Sequence, residues 1–382
     1  MFNTKTVIVG LEVGTAKVCA VAAELNDDGA INIIGVGQAK SRGVRKGEII
    51  DANVASEDVR NAIVEAEEMA DVEIASVFLG VTGGHVRGFN NRGVYGLASA
   101  DRPINKDDVE DALRNAKTVH LSGENHIIHL IRQHFIVDGK EGIQSAVGMF
   151  GSKVEVDVHV IRGNVKRLQS AIRAIKEIPL EVEDIAFNGM AASLAVLNHD
   201  QKELGALVID FGAGTTEYVV YSGGIVRHAG VLAVGGDHIS NDIAVGLRIP
   251  LGLAEQLKID HGSAIVEDDA KGKTLNLPTE PTLPPRVINL EHLQRIMALR
   301  VQETIELIEH DLSEQGLLGR LRAGVFLCGG GARIKNLEQL AQDIFGLPAS
   351  RGRTSAINGL RSALDQPEFA TAIGLAKYGS FQ

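Results

Sequence analysis

Tryptophan is absent from the 382 residues, and aromatic side chains together make up only 4%. A chain so poor in flat side chains offers no stacking platform for bases, which argues against a single-stranded nucleic-acid binder. Cysteine occurs twice, at Cys19 and Cys328. Two residues that far apart form no disulfide framework, so a reducing, cytosolic compartment is expected. No apolar run approaches the ~18 residues that a membrane-spanning helix needs. The opening MFNTKTVIVG leads straight into a β-branched strand, without the pattern of a signal peptide. Positive charge is also in deficit: 38 Lys and Arg face 49 Asp and Glu, and a net charge of −11 repels phosphate backbones.

What the chain does have is 45% hydrophobic residues and 43 glycines. Its length exceeds one ordinary core and points to two or more domains. Thr6–Val9 starts a strand that ends at Gly10-Leu-Glu12-Val-Gly14-Thr15. KVCAVAAEL, an Asn-Asp-Asp-Gly turn and INIIGVG complete a three-stranded meander. The pattern recurs from Ala206: a strand ending at Asp210-Phe-Gly212-Ala-Gly214-Thr215-Thr216, then EYVVY, a Ser-Gly-Gly turn and IVRHAGVLAV. Glu12 and Asp210 stand 198 positions apart, each near the end of the first strand, as a duplicated domain requires.

Helical spacing is expected over 56–69, with Ser56 at the start and Val59, Ile63, Val64 and Met69 on one face. It is expected also over 106–117, 164–178 and 290–315. Residues 85–162 carry alternating strands and read as a separate insert. Four of the nine prolines fall between Glu267 and Arg286, which reads as a long exposed loop.

A strand, a Gly turn carrying an acid, and a second strand have the geometry of a phosphate-binding hairpin. Gly14 and Gly212 let backbone N–H groups approach phosphate oxygens, and Thr15, Thr215 and Thr216 add hydroxyls. Glu12 and Asp210 lie where Mg²⁺ could be held, through water because that ion dehydrates reluctantly. A tight structural turn that wants Gly is the alternative. Rossmann and P-loop readings fail, because a strand follows each loop and no GxxxxGK[ST] occurs. A third cluster, VFLCGGGARI, runs a strand into three glycines that would let a flat group such as adenine press against backbone.

LEVGTAKV, LVIDFGAGTTEYVV and VFLCGGGARI resemble, in order, the phosphate-1, phosphate-2 and adenosine motifs of the actin/Hsp70/sugar-kinase superfamily. Within it the chain resembles the FtsA family of bacterial cell division. SRGVRKGEIID, LGVTGGHVRGFNNRG, the stretch from HIIHLIRQHFIVDGKEGI to AVGMFG, AVGGDHISNDIAVGL and EFATAIGLAKYG carry that likeness over nearly the whole chain. It implies an actin-like α/β fold: duplicated RNase H-like lobes around a cleft for ATP (or ADP) and Mg²⁺, with a small α+β domain inserted in the first lobe. Residues 1–84 and 163–195 would form subdomain 1A, 85–162 the inserted 1C, 196–227 and 310–382 subdomain 2A, and 228–309 subdomain 2B.

Carried across motif by motif, the resemblance has Gly14, Thr15 and Lys17 facing the phosphates from one lobe, and Gly212, Gly214, Thr215 and Thr216 from the other. Gly330, Gly331 and Arg333 would border adenine, Gly236 would meet the nucleotide backbone-first, and Glu255 and Lys258 would reach ribose or adenine. On spacing alone, Glu255 and Lys258 read as a surface ion pair. Asp210 and Asn188 are the residues expected nearest any hydrolysis. Asn188 lies near the position where relatives hold a Gln or Glu, and Asn is a poor general base. Tight ATP binding with slow turnover is the expectation.

The expected partners are the C-terminal tail of the tubulin-like ring protein FtsZ, near Arg286, Arg295 and Arg300, other copies of the chain in a filament, and later division proteins on the insert. Relatives commonly continue past the TAIGLAKYG motif to an amphipathic helix on the membrane. This chain ends at Gln382, so either it is a shortened form or attachment to the inner face of the cytoplasmic membrane needs a partner. The alternatives are a PilM-like adaptor of type IV pili, against which the insert weighs, and a small-molecule kinase, for which no second pocket is visible. His85, His120, His126, His129 and His134 crowd one stretch without Cys or paired carboxylates, and read as strand residues rather than metal ligands.

Overall fold

The computed structural model describes residues 7–26, 31–118, 123–277, 287–354, 358–360 and 366–382. β1 (Val7–Val13), β2 (Lys17–Leu25) and β3 (Ile31–Lys40) form an antiparallel meander, and strands Ser76–Val81 and Glu181–Phe187 extend it in parallel beyond β1. In the second lobe Ala206–Phe211, Thr216–Ser222 and Ile225–Leu232 form the meander, with Gly324–Cys328 and Ala349–Arg351 parallel beyond it. The same five-strand order occurs twice. Glu12 pairs with Cys19 and Val13 with Val18, while Asp210 pairs with Glu217 and Phe211 with Thr216. The register is therefore repeated residue for residue.

Both faces of these sheets are covered, which is why their strands read as nearly continuous apolar runs. On one side of the first sheet Val9, Leu11 and Val13 pack with Val59, Ala62, Ile63 and Ala66 of helix Ala52–Ala70. On the other, Cys19, Val21 and Ala23 meet Ala372, Ile373 and Ala376 of helix Ala370–Gly379. Helix Asn188–Val196 lies between the lobes: Ala192 and Val196 pack on the second sheet, while Ala191 and Ala195 meet the first lobe and the helix Ala370–Gly379. An added Cβ at Gly374 would run into the Ala191 carbonyl, and one at Gly10 into Ala372.

The insert holds strands Arg87–Gly96, Asn125–Val137, Lys140–Ile143 and Lys153–Asn164 and helix Lys106–Lys117, with its own core around Ile104, Ala112, Phe135 and Val156. Although rooted in the first lobe, it also leans on the second: Gln133 Nε2 donates to Val226 O at 2.8 Å and Asn90 Nδ2 to Arg227 O at 3.3 Å. His159, fully buried, lies with its ring centroid 6.1 Å from that of His228 at this junction. His129 Nε2 accepts from Phe187 N, His85 Nδ1 from Asn164 N, and His134 Nδ1 lies 3.2 Å from Arg227 Nη1. His120 lies outside the described residues, among which no three His, Cys, Asp or Glu side chains are placed to hold a metal.

A helical unit separates Ile225–Leu232 from Gly324–Cys328. Helices Gly236–Leu247, Leu251–His261 and Leu290–Glu314 close over Ile239, Ile243, Leu257, Leu293, Met297, Val301 and Ile305. Three expectations change. Helix Ala52–Ala70 starts at the N-cap Asp51, whose carboxylate accepts from Val54 N, so Ser56 is interior and donates to Ala52 O and Ala174 O. Val64 and Met69 are exposed rather than aligned with Val59 and Ile63. The boundary drawn at 227/228 falls inside strand Ile225–Leu232. No helix among the described residues is long and apolar enough to cross a membrane.

Gly374→Ala should separate the two central helices and lower unfolding free energy by about 2 kcal/mol in urea titration. Burial holds His129 down to about 4 and, with the His228 charge, His159 to about 3. Each binds its proton more weakly folded than unfolded. Their stabilisation is complete above pH ~6.5 and is lost as pH falls toward those values. Denaturation at pH 5 should show roughly 2 kcal/mol less stability per histidine than at pH 7.

Candidate functional site

The two meanders present equivalent turns to one cleft: Gly14 N donates to Lys17 O and Gly212 N to Thr215 O, both at 2.9 Å. The N–H groups of Thr15, Ala16, Ala213 and Gly214 meet no acceptor among the described residues. They are ready donors for an anion between the lobes. An added Cβ on Gly214 would collide with Thr15 Oγ1 and the Lys46 backbone, so only glycine lets the loops approach this closely.

Three carboxyl groups line the floor. Lys17 Nζ lies 2.7 Å from Glu12 Oε2. Burial alone would pull the Lys17 ammonium down, but the charge and hydrogen bond of Glu12 hold it well above its ordinary value. Asp210 is pushed up to about 6 by burial and by repulsion from Glu12, despite accepting from Thr371 Oγ1 at 2.5 Å. Its cross-strand neighbour Glu217, 3% exposed, is pushed to about 8 by burial and then by Asp210. Glu217 accepts from Thr82 of the first lobe and bonds Thr215. It joins the lobes across the floor. Sequence reading passed over Glu217; the signal was a lone acid at the start of an otherwise apolar second strand, where the first lobe carries Cys19.

The glycine triplet divides by role. Gly329, at φ 78°, leaves room for the Asp210 carboxylate, and Gly331 for the Phe211 ring. Gly330 is exposed and an added Cβ there would meet nothing within 4 Å. Packing explains two of the three and leaves Gly330 as open backbone surface. Arg333 is engaged beside the triplet: its guanidinium bonds Glu368 at 2.7 Å and Gln366 at 2.9 Å. Gly236 N donates to Gly212 O at 3.0 Å, so the start of helix Gly236–Leu247 is docked on the second lobe's glycine turn. Lys258 Nζ lies 2.7 Å from Glu255 Oε2 and 3.1 Å from Gly236 O, an ion pair that flanks the same loop. Thr216 Oγ1 donates to Val234 O and is spent, whereas Thr15 Oγ1 accepts from Gly47 N and keeps its hydrogen, so the Thr15 hydroxyl joins the backbone amides in the open donor set.

Asn188, 4% exposed, opens the central helix beside Gly80, and its Oδ1 has no partner. The next residue, Gly189, sits against Glu217. An orphaned buried amide oxygen at the cleft fits a site completed by a ligand or its water. Glu12 and Asp210, the free amides and open Gly330 fit a nucleotide with its cation. Arg300 bonds Asp242 at 2.5 Å, Arg295 bonds Glu291 at 2.6 Å, and Arg286 lies outside the described residues. A cavity of about 810 Å³ among Val196, Gln201, Phe326 and Arg351 includes none of the cleft residues.

Lys17→Met removes the partner of Glu12 while keeping bulk, and should cost about 3 kcal/mol in chemical denaturation. Adding Glu12→Gln should recover most of that loss, because the remaining buried charge is then gone.

Two family patterns match the chain: “Cell division protein FtsA” over residues 207–374 and “SHS2 domain inserted in FTSA” over 83–162. The cell division protein FtsA of Escherichia coli (strain K12) is 35% identical over 382 residues, covering 98% of this chain and 90% of that protein. Among solved structures, the PilM-PilN type IV pilus biogenesis complex aligns with TM-score 0.68 at 16% identity, covering 98% of this chain and 99% of the other. MreB5 of Spiroplasma citri bound to ADP aligns with TM-score 0.58 at 17% identity, covering 99% and 97%. These likenesses give the fold: an actin-like ATPase architecture with an SHS2 insertion.

Proposed function

The chain belongs to the FtsA family of cell-division proteins, and we propose that it is an ATP-dependent, filament-forming adaptor that links the FtsZ ring to the cytoplasmic membrane at the septum. The observation that carries the nucleotide half of this reading is the pair of equivalent turns, one per lobe, whose unengaged amides face one cleft. Thr15, Ala16, Ala213 and Gly214 donate to the phosphates, Gly330 offers backbone to the adenine face, and Glu255 and Lys258 flank the ribose side. Mg²⁺, held through water by Glu12 and Asp210, would supply the positive charge that lets a triphosphate lie between these carboxylates.

Hydrolysis is slow in this reading, and ATP acts chiefly as a structural ligand. Asn188 carries an amide that orients water without taking its proton. Asp210 is held by Thr371. The bound nucleotide fixes the angle between lobes, and copies with one lobe angle stack into a filament. The FtsZ tail docks near Arg286, Arg295 and Arg300, its carboxylates exchanging for those of Glu291 and Asp242 on the last two, and later division proteins meet the insert. The subdomain plan 1A, 1C, 2A and 2B fits this division of labour, with 2A extended to the end of strand Ile225–Leu232.

Gly330→Leu provides the test. The open space at this position predicts an unchanged melting temperature, while adenine packing predicts a fall in ATP affinity of about tenfold or more, read by calorimetry. Electron microscopy with ATP should show filaments for the native chain and fewer for the variant. Phosphate release of many turnovers per minute, or unaltered ATP affinity in the variant, would overturn this assignment.

A further inference from the structure

Between Val44–Arg45 and Glu48–Ile49 the chain makes a two-stranded hairpin whose tip, Lys46 at φ 52° and Gly47 at φ 73°, is a tight two-residue turn. Its base is fixed in the first lobe. Ser41 N donates to Ala16 O of the first phosphate loop, and Glu48 pairs with Arg167 of helix Val165–Lys176. Its tip reaches across the cleft. Gly47 N donates to Thr15 Oγ1 at 2.9 Å, Gly47 abuts the Thr82 methyl, and the Lys46 backbone lies against Gly214 of the other lobe. Arg45 lies near enough to Asp237, and Lys46 to His238, for their charges to interact across the mouth.

The charges around the cleft are unevenly committed. Lys17 is held by Glu12, Lys258 by Glu255 and Arg333 by Glu368. Arg45 and Lys46 are exposed and have no ion-pair partner among the described residues. A floor of three carboxyls is a poor environment for several phosphate charges, and free cations poised above the loop amides answer that need.

We infer that the Arg45–Lys46 hairpin is a phosphate-sensing finger that contacts the terminal phosphate of a nucleoside triphosphate and not a diphosphate. The inference rests on the nucleotide-binding reading of the cleft. The tip sits over the gap between the Thr15–Ala16 and Ala213–Gly214 amides, at the end where the phosphate chain terminates. Thr15 Oγ1 accepts from the Gly47 amide and keeps its own hydrogen to donate to an arriving phosphate, so a phosphate held there is coupled through this hydroxyl to the tip and its contact with Gly214. The identity of the nucleotide is thereby transmitted to the spacing of the two lobes.

Calorimetric titration of ADP and of a non-hydrolysable ATP analogue into the native chain and the Arg45→Gln/Lys46→Gln variant tests this. The variant should keep ADP affinity within about twofold, lose about tenfold in triphosphate affinity, and show a shallower salt dependence for the triphosphate alone. Both side chains are exposed, so the unliganded melting temperature should not move. If the native chain binds both ligands and the variant keeps the same affinity ratio, the finger is excluded while the cleft assignment survives. If the native chain binds neither ligand, the cleft assignment fails and the finger with it.

Discussion

The close approach of helices Asn188–Val196 and Ala370–Gly379 is the constraint from which the arrangement of the cleft follows. Ala191 and Ala195 of the first meet Ala372, Ile373, Leu375 and Ala376 of the second, and Gly374 lies directly on the Ala191 backbone. Small side chains allow two helices to fit between two sheets where larger ones would hold the lobes apart. The same two helices carry polar groups to the floor: Thr371 to Asp210, Asn188 to Gly80, and Gly189 against Glu217. Packing and site geometry are thus one problem.

Duplication gives the two halves the same backbone but not the same chemistry. Where the first hairpin has Lys17 and Cys19, the second has Thr215 and Glu217 at the equivalent positions. The first half therefore contributes a compensated charge pair and a neutral thiol, and the second contributes two crowded carboxyls. Asp210 and Glu217 are both pushed upward because burial disfavours the ionised forms, with repulsion from Glu12 added at Asp210 and from Asp210 at Glu217. An anion and its cation entering such a site meet a prearranged imbalance, with amide dipoles above and carboxyls below.

The meanders and Gly turns were legible in the sequence because short β-branched apolar runs and turn glycines are local signals. The start of helix Ala52–Ala70 was not, because both Asp51 and Ser56 are sound caps on paper and tertiary bonding to Ala174 draws Ser56 inside. Spacing alone also grouped Val64 and Met69 with the core face, although that face is narrower than the pattern implied. The site residues Glu12, Lys17, Asp210 and Thr215 do converge, since they sit on the repeated turn itself. Glu217 and the hairpin tip at Lys46 escaped notice because their importance arises from contacts between lobes. Gly329, Gly330 and Gly331 looked alike as letters, and only the neighbours of each distinguish packing from open surface.

The lobes are fastened at more than their shared helices. The insert reaches from the first lobe to Val226 and Arg227, Thr82 crosses to Glu217, and the short strand Asn358–Gly359 from the second half pairs with β3 at the edge of the first sheet. Ties on several sides of a pivot turn a clamshell into a closed linkage. In such a linkage the easy motion is a small twist, and any gaping of the jaws must first break a bond at the rim.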